Sequence, residues 1–77
     1  MKIEILGTGC AKCQKLEALV NDVVAASGVK AQVVKVKDIR QIMNYGVINT
    51  PALAIDGRVK ITGKMPTPEQ VRDWITQ

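Results

Sequence analysis

One helical stripe between two β-branched runs constrains this chain more than any other feature. Cys10, Cys13, Leu16, Leu19, Val20, Val23 and Val24 recur at the helical period of about 3.6 residues, and Gly28 fits the left-handed residue that ends a helix. Residues 2–6 read as a strand stopped by Gly7-Thr8-Gly9, and residues 31–36 read as a second strand. Strand, helix and strand in succession form a βαβ unit, whose strands pair in parallel through a right-handed crossover. Cys13 then points along the buried face of the helix, while Cys10 sits at its open end.

The rest of the chain must add to that unit. Asp38, with Gln41 three residues on, has the spacing of a capping box and opens a short helix carrying Ile39, Ile42 and Met43 as its apolar stripe, ending near Gly46. Asn49-Thr50-Pro51 leads into the apolar run Ala52-Leu53-Ala54-Ile55, and Asp56-Gly57 is a strong hairpin turn. The returning strand at 58–62 alternates, with Val59 and Ile61 inward. Thr67 caps a last helix that has Pro68 at its first position and Gln70 completing a capping box; Val71, Trp74 and Ile75 face the core. The predicted order is β-α-β-α-β-β-α. This is an α/β fold: a four-stranded mixed sheet, two parallel strands plus an antiparallel hairpin, with helices on both faces.

Seventy-seven residues are read as a single domain, 1–77, near the lower end of what folds without staples. A chain of this size buries only about 60–65% of its unfolded surface. Phe is absent and Trp74 and Tyr45 are the only aromatics, so aliphatic side chains must carry the core. No apolar stretch approaches a membrane span. The first residues carry a charge inside their apolar run, unlike a secretory leader, so a cytoplasmic location is expected. A monomer is expected as well. The net charge of +4 comes from scattered Lys and Arg with no dense run and no stacking platform, which argues against nucleic acid as a partner and assigns the charge to steering of acidic partners.

Cys10 and Cys13 are the only cysteines. The first turn of a helix presents unpaired N–H groups and the positive end of the backbone dipole, and both favour a thiolate over a thiol. Only the thiolate attacks disulfides or binds soft metals, and a helix N-terminus draws the pKa below the free value of about 8.5. Lys12 adds a positive charge between the sulfurs. Two thiolates without histidine cannot complete a tetrahedral zinc site. In the cytoplasm a lone C-x-x-C is a reactive pair more often than a structural one, leaving redox chemistry or transfer of a soft metal.

The element order, the dithiol at the first helix and Thr50-Pro51 opening the third strand together resemble the thioredoxin fold, above all its small single-domain redox members. The resemblance spans essentially the whole chain. It implies that Cys10 is the exposed nucleophile and Cys13 the residue that resolves the mixed disulfide. It also implies that Pro51 is cis beside the dithiol, and that Thr50 offers its backbone to an extended substrate. Gly9 and Lys12, which flank the sulfurs, complete the substrate-contacting set. Gly9 stands where thioredoxins usually carry tryptophan, and Ala11-Lys12 replaces Gly-Pro, which alters the thiol pKa and the potential. Glu4 lies six residues before Cys10, the spacing of the family's buried proton-relaying aspartate. It is therefore either such a relay or a solvated strand carboxylate.

The implied activity is thiol–disulfide oxidoreduction on disulfide-containing proteins. It needs no bound cofactor beyond a reversible Cys10–Cys13 disulfide and no metal, and it is closed by an outside reductant: an NADPH-dependent flavoprotein reductase or a glutathione system. The Gly-Gly-x-Asp of glutaredoxins is missing after the hairpin, which weighs against glutathione recognition. The alternative is a Cu(I) carrier resembling heavy-metal-associated domains, which share this length and an early C-x-x-C. Those domains run β-α-β-β-α-β and carry a methionine where Thr8 stands. Tyr45 and Lys64 are expected at the surface, Trp74 as a core anchor, and Met43 and Met65 outside any metal pattern.

Overall fold

The computed structural model describes residues 1–76. Its elements follow the predicted order: β1 (Lys2–Leu6), α1 (Ala11–Ser27), β2 (Gln32–Val36), α2 (Ile39–Asn44), β3 (Ala52–Ile55), β4 (Arg58–Thr62) and α3 (Pro68–Ile75). The sheet order is β2-β1-β3-β4. β1 pairs with β2 in parallel, from Lys2 opposite Gln32 to Leu6 opposite Val36, as a βαβ crossover requires. On its other side β1 runs antiparallel to β3, from Ile3 opposite Ile55 to Leu6 opposite Ala52. The helix after β2, in place of a hairpin, and the closing α3 set this topology apart from β-α-β-β-α-β.

Strand alternation splits the core between the two faces of the sheet. Ile3, Ile5, Leu53 and Ile55 pack with Leu16, Val20 and Val23 of α1 and with Val71 and Ile75 of α3. Each such side chain, fully buried, contributes about 1.5–3 kcal/mol. Trp74 lies half-buried against this cluster, as an anchor at its margin. The opposite face is thinner: Leu6, Val36, Ala52 and Ala54 meet Ile42 and Val47 of the α2 segment.

Local sequence explains the ends. Gly28 closes α1 in the left-handed region at φ 70°, its N–H donating to the Val24 carbonyl. Asp56 and Gly57 both take positive φ in the two-residue turn between β3 and β4, and the Asp56 carboxylate accepts the Lys2 N–H at 2.8 Å. Thr67 and Gln70 form the expected capping box at α3.

Three details depart from the sequence pattern. Asp38 caps α2 by accepting from the Arg40 N–H at 2.8 Å, and Gln41 does not complete a box. Of the α2 stripe only Ile42 is buried, while Ile39 and Met43 are 62% and 65% exposed. A six-residue helix over a face where β3 offers only alanines covers too little sheet to bury a second row of side chains. Val59 and Ile61 do not share a face. The pairing shifts between Leu53 and Ala54, which oppose Ile61 and Val59, so Lys60 is an extra residue; Ile61 joins the α1–α3 core and Val59 the α2 side.

Because Leu6 opposes Ala52, the chain leaves β1 through Gly7 at the same end of the sheet where Pro51 enters β3. That end also receives the N-terminus of α1.

Candidate active site

The first sulfur sits at the start of α1 in a capping role. Cys10 is the N-cap residue, with extended backbone, and its Sγ accepts the Cys13 N–H at 3.2 Å. Its thiol is exposed and free, and its pKa lies below the ordinary value. The main cause is the side-chain hydrogen bond from Cys13, followed by that residue's backbone N–H and, more weakly, the Lys12 backbone N–H. A thiolate here is stabilised by the donors that a helix N-terminus leaves unpaired.

The second sulfur is held differently. Cys13 is 6% exposed, on the face of α1 that meets the sheet. Burial pushes its thiol pKa up, and its hydrogen bond to Cys10 pushes the same way. Gly7 makes the room: a Cβ at that position would stand 2.4 Å from Cys13 Sγ. The same Cβ would lie 3.8 Å from Thr50 Cβ, so the loop before β3 reaches the neighbourhood of the buried sulfur.

Thr50–Pro51 is a cis peptide. Pro51 is fully buried and its carbonyl accepts the Gly63 N–H at 2.8 Å, whereas Thr50 faces solvent. Gly9 is exposed with open space around it, and its carbonyl accepts from the Gln14 side chain at 3.5 Å. Lys12 is exposed on the first turn of α1. Cys10, Cys13, Gly9, Lys12, Thr50 and Pro51 therefore gather at one end of the sheet.

Glu4 does not join them. Only 8% exposed, it is not the solvated carboxylate that its type suggests; its Oε1 accepts the Tyr45 hydroxyl. Alternation along β1 places it with Leu6 on the α2 face, away from Ile3 and Ile5 and the α1 side that carries Cys13. The bond to Glu4, with burial, raises the Tyr45 pKa, so Tyr45 is a buried-carboxylate partner and not a plain surface residue. Lys64 is exposed, and Met43 and Met65 are exposed apart from the dithiol.

Two features of the site were not anticipated in the sequence. One is the space at Gly7, signalled only by a glycine three residues before Cys10 in line with the inward residues of β1. The other is an apolar groove of about 390 Å³ between Thr8 and Thr50 on one side and Ile39, Met43 and Ile48 on the other. Ile48 is 93% exposed there; an isoleucine stranded in a loop just before Thr50-Pro51 was its one available signal.

The family model for the thioredoxin domain matches residues 1–76. A protein named thioredoxin from Methanothermobacter thermautotrophicus is 42% identical over 72 residues, covering 94% of each chain. Another thioredoxin, from Methanocaldococcus jannaschii, is 37% identical over 71 residues, covering 92% of this chain and 81% of the relative. The chain belongs to the thioredoxin family. With that membership comes the activity of a protein-disulfide oxidoreductase, which the adjacent exposed and buried thiols are built to perform. As in other thioredoxins, the substrates are protein disulfides and a separate reductase restores the dithiol. Among the described residues no helix is long and apolar enough to cross a membrane.

Proposed function

We propose that Cys10 is the attacking thiol and Cys13 the resolving thiol of a cycle that reduces protein disulfides in the cytoplasm. The unequal state of the two sulfurs carries this reading: one is exposed and drawn toward the thiolate, the other buried and held as a thiol. The Cys10 thiolate attacks one sulfur of the substrate disulfide, whose S–S bond breaks and releases a substrate thiolate. Cys13 then loses its proton and attacks Cys10 Sγ; the mixed disulfide breaks, a second substrate thiolate leaves, and the pair is left as a Cys10–Cys13 disulfide. Two electrons have passed to the substrate. A flavoprotein reductase or another thiol system returns them, so the dithiol itself is the electron carrier and no bound cofactor or metal takes part.

Thr50 is exposed beside the sulfurs, where its backbone can pair with an extended substrate segment, while Pro51, Gly9 and Lys12 border the approach. The groove lined by Ile39, Met43 and Ile48 adjoins Thr50 and supports docking of an apolar substrate side chain next to the disulfide. The test is reduction of insulin disulfides with dithiothreitol as terminal reductant. The wild type accelerates it catalytically, and Cys10→Ser abolishes the acceleration. Acceleration that survives Cys10→Ser would refute the assignment.

A further inference from the structure

The proposed cycle requires a buried thiol to lose its proton at the moment it attacks, and Glu4, read from sequence as either a relay or a solvated carboxylate, lies on the opposite face of the sheet. We infer that Glu17 is the proton acceptor for Cys13, reached through a crevice between α1 and β2 that opens onto the buried sulfur. This rests on the resolving role of Cys13.

The crevice has a volume of about 100 Å³ and is lined by Gly7, Cys13, Glu17, Lys35 and Lys37, among others. That is room for a short chain of waters. Gly7 contributes no side chain, and this opens the sulfur to the crevice from the β1 side. Glu17 follows Cys13 by one helical turn, so both side chains stand on the same face of α1. Among the described residues it is the only carboxylate in the lining. Its Oε2 lies 3.3 Å from Lys35 Nζ, which holds the carboxylate at the crevice.

The charged groups around it are few. β2 supplies Lys35 and the residue just after it Lys37, β1 supplies Ile5, the loop after β1 supplies Gly7 and Gly9, and α1 supplies Glu17 with the neutral Gln14 and Cys13 itself. Of the other acidic residues near β1, Glu4 is committed to Tyr45 on the opposite face of the sheet and Asp56 to the Lys2 N–H. In the resolving step the Cys13 proton passes through water to Glu17, and the electron pair left on Cys13 Sγ forms the bond to Cys10 Sγ. The bond from Cys10 to the substrate sulfur breaks, and the departing thiolate takes a proton from solvent, to which Glu17 later returns its own.

The test uses the full chain and dithionitrobenzoate, whose aromatic thiolate is released once by each cysteine: a first phase for attack by Cys10 and a second for resolution by Cys13. Glu17→Gln should slow the second phase by roughly tenfold or more at neutral pH, a modest share of what a positioned base contributes. The residual rate should then climb with hydroxide, and Glu17→Asp should recover part of the loss. The first phase should not change, because a partly exposed ion pair adds little to stability and Glu17 stands about two helical turns beyond Cys10. An unaltered second phase in Glu17→Gln overturns the inference, as does equal slowing of both phases or a second phase slowed by Glu4→Gln instead. A wild type with no second phase at all would fail the resolving role of Cys13 itself, a separate and distinguishable result.

Discussion

Gly7→Ala adds one methyl group at the most crowded point of the site. The new Cβ would stand 2.4 Å from Cys13 Sγ and 3.5 Å from Cys13 Cβ. Ordinary contacts are about 3.5–4.0 Å, so the sulfur must move by about 1 Å or more while the Cβ need not move at all. The sulfur is buried on a long helix packed against the sheet, so it cannot yield freely; overpacking of this kind costs about 1–3 kcal/mol. For a domain of this size that lowers Tm by about 4–8 °C per kcal/mol. The displaced sulfur is also the one that must reach Cys10, so resolution of mixed disulfides should slow. A double-mutant cycle in urea isolates the cause. In the Cys13→Ala background the clash partner is gone and the remaining 3.5 Å contact is normal, so Gly7→Ala should cost little or even fill the vacated space. The coupling should therefore account for most of the single-mutant penalty. A neutral Gly7→Ala, or an equal penalty with and without the Cys13 sulfur, would refute the steric reasoning.

Other outcomes follow from the same geometry. Iodoacetamide should alkylate Cys10 well before Cys13, with a rate midpoint below the free-thiol value of about 8.5, because the Cys10 pKa is lowered and that of Cys13 raised; equal rates would contradict it. Tyr45→Phe should destabilise the fold by about 1.5–3 kcal/mol in urea at neutral pH, since it strips a buried carboxylate of its donor; a neutral result would mean Glu4 is hydrated. Tyr45 also fixes a sign at high pH. Its folded pKa is raised above the unfolded value of about 10, so its contribution is intact below that value and is lost as pH rises through the folded pKa; Tyr45→Phe should remove this part of the alkaline decline. Ile48→Ser, at a position 93% exposed, should leave stability within about 0.5 kcal/mol yet raise KM for insulin without altering the rate with dithionitrobenzoate; an unchanged KM would remove the groove from substrate docking.

Where the sequence was legible, local chemistry and long-range packing agreed. The α1 stripe, Gly28, Asp56-Gly57 and Thr67-Pro68 each fix an element through their own backbone demands, and these carry the order of the fold. The gathering of Thr50-Pro51 with the cysteines was legible only through family resemblance, because it depends on the register of β3 against β1. What escaped depended on neighbours distant in sequence. Lys60 is an ordinary strand residue until its partner strand shows that it is extra. Glu4 looks like a surface carboxylate until Tyr45, forty-one positions on, closes over it. Ile39 and Met43 match a buried stripe, but α2 is too short and its platform too small to cover them. Gly7 reads as a turn residue, and only the position of the Cys13 sulfur shows what its missing side chain allows.

The central claim is that the two sulfurs divide the work, and covalent trapping tests it most directly. Cys13→Ser is incubated with a disulfide-bonded protein such as insulin, quenched with acid, and its intact mass and peptide map are read by mass spectrometry. The account predicts accumulation of a mixed disulfide on Cys10, with Cys10→Ser trapping nothing under the same conditions. Adducts that form through Cys13 in Cys10→Ser, with none on Cys10 in Cys13→Ser, would contradict it.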